Sequence, residues 1–214
     1  MLPLIVVGGG GHGRVVLEAL RSIASEVRGV VDRDPAVATM LPKGVPWLGD
    51  DTVLAAFPPT QHALVNGVGG IGDGTRRAVF ERLRKEGYLF AAIHHESAII
   101  AHAGVELGEG CQVMAGAVVQ PGVRIGANAI INTRASVDHD CLIGAHCHVA
   151  PGAVICGGVM VGEDTHIGAG AVVIQGIQIG RGALIGAGAV IRRDVGDNLV
   201  VYTRGERRER ITTR

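Results

Sequence analysis

Residues 107–130 read LGEGCQ-VMAGAV-VQPGVR-IGANAI, and every sixth residue in this run is aliphatic. The same spacing continues to residue 191 and gives fifteen aliphatic positions: Leu107, Val113, Val119, Ile125, Ile131, Val137, Ile143, Val149, Ile155, Val161, Ile167, Val173, Ile179, Ile185 and Ile191. Neither the 3.6-residue period of a helix nor the alternation of an ordinary strand produces a six-residue repeat. A short strand followed by a tight corner does, so this segment is predicted to wind as a coil of stacked parallel strands.

A second position in each repeat, two places before the next aliphatic residue, is nearly always small or β-branched. We expect the aliphatic side chain to lie inside a narrow coil and the small one to fill the remaining space. Three repeats make one triangular turn of 18 residues, and fifteen repeats make about five turns, or a prism roughly 24 Å tall. Glycines such as Gly157, Gly158 and Gly170 are expected to give the corners their backbone freedom. Cys111, Cys141 and Cys147 occupy the small position, which predicts buried free thiols and no disulfide framework.

The composition excludes several classes of function. The chain has 214 residues, of which 20 are basic and 20 acidic, so no general electrostatic field attracts nucleic acid or an anionic membrane. No apolar stretch approaches the length that spans a bilayer. The first residues lack a basic region and run directly into a glycine loop, which does not resemble a secretory signal. We therefore expect a cytoplasmic protein with no membrane span and no nucleic-acid partner.

Aromatic residues indicate where the chain divides. Five of them precede residue 91, and the next is Tyr202: the five are Trp47, Phe57, Phe80, Tyr88 and Phe90. Large rings can pack in a globular core but not inside a narrow coil. The sequence therefore predicts a Rossmann-like domain over residues 1–92, a β-helix over residues 93–201 and a C-terminal tail over residues 202–214.

The predicted first domain begins with an apolar strand, residues 4–7, that leads into the glycine run from Gly8 to Gly13. A helical pattern follows, and a second strand, residues 27–31, ends at Asp32. This order brings backbone N–H groups to a helix N-terminus that suits a phosphate. A further strand, residues 63–66, runs into Gly67 and precedes a helix near residues 76–86. The pattern predicts a small parallel α/β domain that suits one nucleotide; because a glycine loop alone is a weak signal, a purely structural turn remains the alternative.

His139 is the residue in the coil that suggests chemistry. It lies two places after the inward Val137, so its imidazole should project outward at a corner, and Asp140 follows it. An imidazole beside a carboxylate is the minimum apparatus of a general base. Gly157 comes one turn later and should leave a slot and an N–H group for an oxyanion, while Asn132 lies near the preceding corner of the same coil.

Two other interpretations of the histidines remain open at this point. A histidine at a solvated corner is often only a surface residue, and we expect this of four others: His94, His95, His102 and His166. Alternatively, His139, His146 and His148 could bind zinc, as three histidines do at the subunit interfaces of β-helix carbonic anhydrases.

Three features together resemble one family: the run Gly10-Gly11-His12-Gly13, the motif His139-Asp140-Cys141 with His148 nine residues later, and the fifteen hexapeptides. It is the sialic-acid O-acetyltransferase type family of left-handed β-helix acyltransferases, which includes N-acetyltransferases of bacterial nucleotide-activated 4-amino sugars. The resemblance extends from about residue 4 to residue 201. It implies a left-handed coil and a homotrimer whose active sites lie between subunits.

The resemblance also implies roles for individual residues. His139 would be the general base that deprotonates the acceptor as it attacks acetyl-CoA, Asp140 would increase its basicity, and Asn132 would lie near the reacting amine. Positions similar to those that contact the acetyl donor and coenzyme A are His148, Gly157, Ala169 and Ala187. The nucleotide-sugar is expected to contact Gly10, Gly11, His12 and Asp32, with Gly67 in the same site. No metal is expected.

Two departures from the family pattern stand out. Asp32-Arg33-Asp34 replaces two adjacent acids after the second strand, and an arginine-rich segment replaces the usual C-terminal Gly-x-Pro-Ala run. This tail is predicted to be a solvated terminus, with contact to coenzyme A phosphates as the alternative. The favoured function is acetyl-CoA-dependent N-acetylation of a UDP-, GDP- or dTDP-linked amino sugar for surface-glycan synthesis. The alternatives are a sialic-acid or sugar O-acetyltransferase and, third, a metal-dependent or structural β-helix.

Overall fold

The computed structural model describes residues 2–70, 74–202 and 209–210. It divides into two compact units, Met1–Glu96 and Ser97–Arg214. Neither helix in the described residues has the length and apolar character that crossing a membrane requires. Most of the arginine-rich tail, residues 203–208 and 211–214, lies outside the described residues, so the expectation for the tail stays a prediction.

The first unit is a parallel α/β domain, as the sequence predicts. Four of its strands form one sheet, in the order Trp47–Gly49, Val27–Val31, Leu4–Val7 and Ala63–Asn66, and every neighbouring pair is parallel. The elements are β1 (Leu4–Val7), α1 (Gly11–Ser22), β2 (Val27–Val31), a 3-10 helix (Pro35–Met40), β3 (Trp47–Gly49), a second 3-10 helix (Asp51–Ala56), β4 (Ala63–Asn66), α2 (Thr75–Lys85) and β5 (Ile93–His94).

Close backbone contact explains the glycine run at the end of β1. Gly8 has a φ of +101°, a conformation that other residues rarely adopt. A Cβ atom on Gly13 would lie 2.0 Å from the Gly8 carbonyl oxygen, and one on Gly67 would lie 2.2 Å from the same oxygen. Only glycine lets α1 and the end of β4 approach the loop this closely. Gly10 and Gly11 have open space instead, with nothing within 4 Å of an added Cβ.

The second unit is a parallel β-helix with three faces. Face A consists of the strands Ile99–Ile100, Val118–Val119, Ser136–Val137, Val154–Ile155, Val172–Val173 and Val190–Ile191. Face B consists of Glu106–Leu107, Arg124–Ile125, Leu142–Ile143, Met160–Val161 and Gln178–Ile179. Face C contains Gln112–Val113, Ile130–Ile131, His148–Val149, His166–Ile167, Leu184–Ile185 and Leu199–Val201, the last of which also pairs antiparallel with Glu209–Arg210.

The predicted 18-residue turn is confirmed by strand pairing. Arg124 pairs with Leu142, and Ser136 pairs with Val154, each one turn along the chain. The aliphatic position and the small position both point into the coil, where Val137, Ile155 and Ala153 have no exposed surface. The three cysteines predicted inside are fully buried and free. Burial raises the pKa of the Cys147 thiol to about 12, which keeps it protonated and inert.

The corners correct the expectation about glycine, because Gly158 and Gly170 have a positive φ but Gly157 does not. A positive φ recurs every six residues from Gly104 to Gly188. Five of these positions carry other residues: Asn128, Arg134, Asp140, His146 and Asp164. The left-handed conformation is therefore imposed by the coil, and most of these positions carry residue types that tolerate it comparatively well. Asp140, beside His139, is one of them, with a φ of 58°.

Candidate active site

His139 and Asp140 form a hydrogen-bonded pair at the corner between faces A and B. The imidazole Nδ1 lies 2.9 Å from Asp140 Oδ2. Because an ionised carboxylate only accepts hydrogen bonds, Nδ1 carries the proton and Nε2 keeps its lone pair. The His139 side chain is 62% exposed, so Nε2 can meet a substrate. The pair therefore has the fixed tautomer and the exposed Nε2 that a general base requires.

Charge around the pair raises the pKa of His139. The hydrogen bond from Nδ1 to Asp140 contributes most, followed by the negative charge of Asp138. Asp138 also accepts the His139 backbone N–H at 2.7 Å, which fixes the backbone at the base. A more basic imidazole accepts a proton more readily once it is neutral.

Two glycines, one turn before and one turn after, make room for the pair. A Cβ on Gly157 would lie 2.5 Å from His139 Nε2, and a Cβ on Gly122 would lie 2.6 Å from Asp140 Oδ1. Within the described part of the chain, the Gly157 N–H makes no hydrogen bond, although its neighbour Gly158 donates to the His139 carbonyl at 2.9 Å. Sequence reasoning identified Gly157 but not Gly122, although the 18-residue turn that leads to Gly157 also connects Asp140 to Gly122.

Asn132 and His148 form a second pair, which lies away from His139 within one chain. Asn132 is at the corner between faces C and A, and His148 is on face C. The Asn132 Oδ1 accepts the Thr133 backbone N–H at 2.8 Å, so its Nδ2 is the group that lies 3.0 Å from His148 Nε2. The amide therefore donates to Nε2, and neutral His148 carries its proton on Nδ1.

His166 supports this second pair and corrects one expectation. It follows His148 on face C, and the two rings meet edge to face with centroids 4.9 Å apart. His166 was expected to be a surface residue, but its side chain is mostly covered and burial lowers its pKa. A neutral His166 adds no positive charge beside His148.

Three of the four residues predicted to contact the acetyl donor and coenzyme A lie at the corners that border face A, and the fourth, His148, is on face C. Ala169 and Ala187 are exposed at the C–A corner, one turn apart and on the same corner as Asn132. Gly157 is at the A–B corner with His139. The structure thus places the predicted site residues of the coil in two groups, which lie on opposite edges of face A.

The proposed zinc set does not form in the chain. His139 is at the A–B corner, His148 is on face C, and His146 is at the B–C corner, 3.0 Å from the Asn128 amide. Across residues 2–70 and 74–202, no three His, Cys, Asp or Glu side chains are grouped as metal ligands.

In the first unit, the five residues predicted to bind the nucleotide-sugar line one cavity of about 770 Å³: Gly10, Gly11, His12, Asp32 and Gly67. The N-terminus of α1 opens into it. Asp32 has a further structural role, because its carboxylate accepts the Gly9 N–H at 2.6 Å and the Asp34 N–H at 2.9 Å. Sequence reasoning missed Thr75, Asp51 and Arg82, which line the same cavity.

Two family profiles match the chain. A profile described as bacterial transferase hexapeptide (six repeats) matches residues 104–139, 124–157 and 158–193. A profile described as PglD N-terminal domain matches residues 3–83. A search of curated protein sequences found no match.

The similarity to solved structures extends over nearly the whole chain. PerB from Caulobacter crescentus, in complex with CoA and GDP-perosamine, is 40% identical, with a TM-score of 0.84 over 92% of each chain. The acetyltransferase domain of PglB from Neisseria gonorrhoeae is 33% identical, with a TM-score of 0.86 over 99% of this chain and 100% of that domain. Further structures of the Caulobacter perosamine N-acetyltransferase carry a single histidine replaced by asparagine or alanine.

Proposed function

Because the chain belongs to the left-handed β-helix family of hexapeptide-repeat sugar N-acetyltransferases, we propose that it transfers the acetyl group of acetyl-CoA to the amine of a nucleotide-linked amino sugar. The observation that carries the proposal is the His139–Asp140 pair, whose Nε2 stands exposed at an outward corner. A protein that only scaffolds has no need for a base held in one tautomer. Since acetyl-CoA is an intracellular metabolite, we place the reaction in the cytoplasm.

In this proposal His139 Nε2 accepts a proton from the sugar amine as the nitrogen attacks the thioester carbonyl carbon. The new C–N bond forms, the C–S bond breaks, and the proton passes from His139 to the departing thiolate of coenzyme A. Asp140 holds the imidazolium that forms in between. The Gly157 N–H, which has no partner in the described chain, is suited to the negative charge on the carbonyl oxygen.

Positioning supplies the rest of the catalysis. The thioester is already activated, so no covalent intermediate on the protein is needed. Aligning two bound substrates can contribute roughly 7 to 11 kcal/mol. We assign the nucleotide to the cavity of the first unit, with its phosphates at the N-terminus of α1 near Gly10, Gly11 and His12.

We further propose a homotrimer, on the evidence of face A. Its outward side chains are aliphatic in five of six turns, with Ser136 as the exception: Ile99, Val118, Val154, Val172 and Val190. Such an apolar face is suited to burial against another copy. A ring that buries face A around its axis brings the A–B corner of one copy against the C–A corner of the next. His139 and Gly157 of one subunit then meet Asn132, His148 and Ala169 of its neighbour.

The chemical identity of the acceptor group is tested with pairs of nucleotide-linked sugars that differ only in having an amine or a hydroxyl. Purified enzyme and acetyl-CoA are assayed with nucleotide-linked 4-amino sugars and with their 4-hydroxy counterparts, in UDP, GDP and dTDP form. Release of free coenzyme A thiol and the mass of the product report transfer. Acetylation of an amine is expected, with the hydroxyl compounds at background; equal transfer to a hydroxyl would overturn the proposal in favour of an O-acetyltransferase.

The trimer is tested by placing a charge on face A. Val154→Asp is expected to convert the trimer to monomers and to lower activity at least roughly tenfold, because a carboxylate buried at an interface without a partner is costly. Light scattering after size exclusion measures the mass. Met160→Asp is the matched control: Met160 lies on face B and is 46% exposed, against 38% for Val154. A trimeric Val154→Asp variant, or a monomeric Met160→Asp variant, would contradict this arrangement.

A further inference from the structure

Asp51 lines the nucleotide cavity just after β3, which is the strand farthest from β4 in the sheet. The reaction proposed above does not use this residue. It follows β3 and begins the second 3-10 helix. Arg82 of α2 contacts its Oδ2, and Arg33 Nη2 lies 3.6 Å from the same oxygen. All three side chains line the cavity. The carboxylate is only 24% exposed, so it is both held and partly shielded from water.

The two arginines contact only one of the two carboxylate oxygens of Asp51. Both guanidinium groups meet Oδ2, and within residues 2–70 and 74–202 no hydrogen bond reaches Oδ1. Arg82 is itself held by Glu86, at 3.2 Å from Nη1. Asp51 and Arg82 thus present a fixed acceptor and a fixed donor side by side.

The position of Asp51 in the sheet suits a nucleobase. The glycine loop follows β1, Asp32 follows β2 and Asp51 comes just after β3, and these three strands are neighbours. With strands about 4.8 Å apart, their ends form a row about 10 Å long. A phosphate at the first end and a ribose at the second bring the base to the third. Ala78 and Val79 of α2 supply an apolar wall along the same cavity.

We propose that the base of the nucleotide is guanine and that Asp51 recognises it through hydrogen bonds. This proposal rests on the proposed function, which places a nucleotide in this cavity. Guanine has two adjacent donors, N1–H and the 2-amino group, next to the O6 acceptor. Asp51 Oδ1 accepts from one of these donors, and Oδ2 accepts from the other with the lone pair that Arg82 does not use, while the Arg82 guanidinium donates to O6. Uracil and thymine offer one N–H between two carbonyl oxygens, so one carbonyl faces the carboxylate. Adenine has a ring acceptor where guanine has N1–H.

The experiment measures binding of GDP, IDP, UDP and dTDP by calorimetry, without acetyl transfer. IDP is GDP without the 2-amino group and isolates that contact. GDP is expected to bind roughly 5- to 150-fold more tightly than IDP and than either pyrimidine nucleotide. Asp51→Asn should remove most of the preference of GDP over IDP. Asp50→Asn is the matched control, because Asp50 caps the same helix but does not line the cavity, and asparagine also caps helices.

Each outcome bears on one of the two proposals. Equal affinity for GDP and IDP, tighter binding of UDP or dTDP, or an Asp51→Asn variant that keeps the full preference would overturn the assignment of guanine while leaving a nucleotide site. A folded protein that binds none of the four would overturn the nucleotide cavity itself. Wild-type discrimination in Asp50→Asn, together with its loss in Asp51→Asn, supports the assignment.

Discussion

His139→Ala is expected to lower kcat by roughly 10²- to 10⁴-fold, the range that a positioned general base contributes. The imidazole Nε2 is the group available to accept the amine proton, because Nδ1 is committed to Asp140 at 2.9 Å. The side chain is mostly exposed, so the fold and the binding of both substrates should persist. Steady-state kinetics with calorimetry of acetyl-CoA binding separates the two effects.

His102→Ala is the matched control for this variant. His102 is exposed at the same A–B corner, near the start of the coil. Its loss should leave kcat unchanged within about twofold, since no part of the proposed mechanism uses it. A His139→Ala enzyme with more than about a tenth of the wild-type rate would remove His139 from the role of base.

The pH dependence of the activity is an independent test of the His139–Asp140 pair. Asp140 raises the pKa of His139, and the base works only when neutral, so activity should rise with pH through that raised pKa. Asp140→Asn removes the negative charge, which lowers the pKa and should move the acid limb of the profile to lower pH. The maximal rate should fall because the imidazole is then less basic. Asparagine tolerates the left-handed φ of 58° at this position, so the corner should survive.

An unmoved acid limb in Asp140→Asn would mean that another group controls the profile. The variant changes one charge and keeps an oxygen that can accept from Nδ1. His139 should therefore keep its orientation. A shifted acid limb with an ordered His139 would show that Asp140 acts through its charge. A merely structural role would not move the acid limb.

The six-residue period was enough to predict much of the coil and the placement of part of the candidate site. Because each turn has 18 residues, the sequence alone placed Val137 inward, His139 outward and Gly157 next to it. These relations are local consequences of the repeat. Three repeats make one triangular turn, which is why three faces were predicted.

The remaining parts of the site depend on contacts that no spacing encodes. Asp51 and Arg82 are 31 residues apart and meet only because α2 packs beside the helix that follows β3. The pairing of His148 with Asn132 depends on which amide atom Thr133 binds. Left-handed corners at Asp140 and His146 are imposed by the coil, at positions where the repeat has glycine in other turns. Tertiary packing, rather than the sequence pattern, determines each of these contacts and conformations.

Gly157→Ala is expected to lower kcat by about 10²-fold although it adds a single methyl group. Gly157 does not have a left-handed φ, so alanine should fit the backbone. Its Cβ, however, would lie 2.5 Å from His139 Nε2 and 2.7 Å from Cε1, which is closer than non-bonded atoms can come. The ring must turn away, and a displacement of about 1 Å at a reacting group can cost this much.

A double-variant cycle shows whether Gly157 acts through His139. If the methyl group works only by displacing the imidazole, His139→Ala/Gly157→Ala should be no slower than His139→Ala, because the ring that would be displaced is gone. Gln175→Ala is the control, since Gln175 has the same corner position one turn later and is exposed. A further loss in the double variant would instead indicate that the methyl group disturbs the neighbouring N–H or the thioester. Near-wild-type activity in Gly157→Ala would show that the imidazole works from a position other than the one it occupies here.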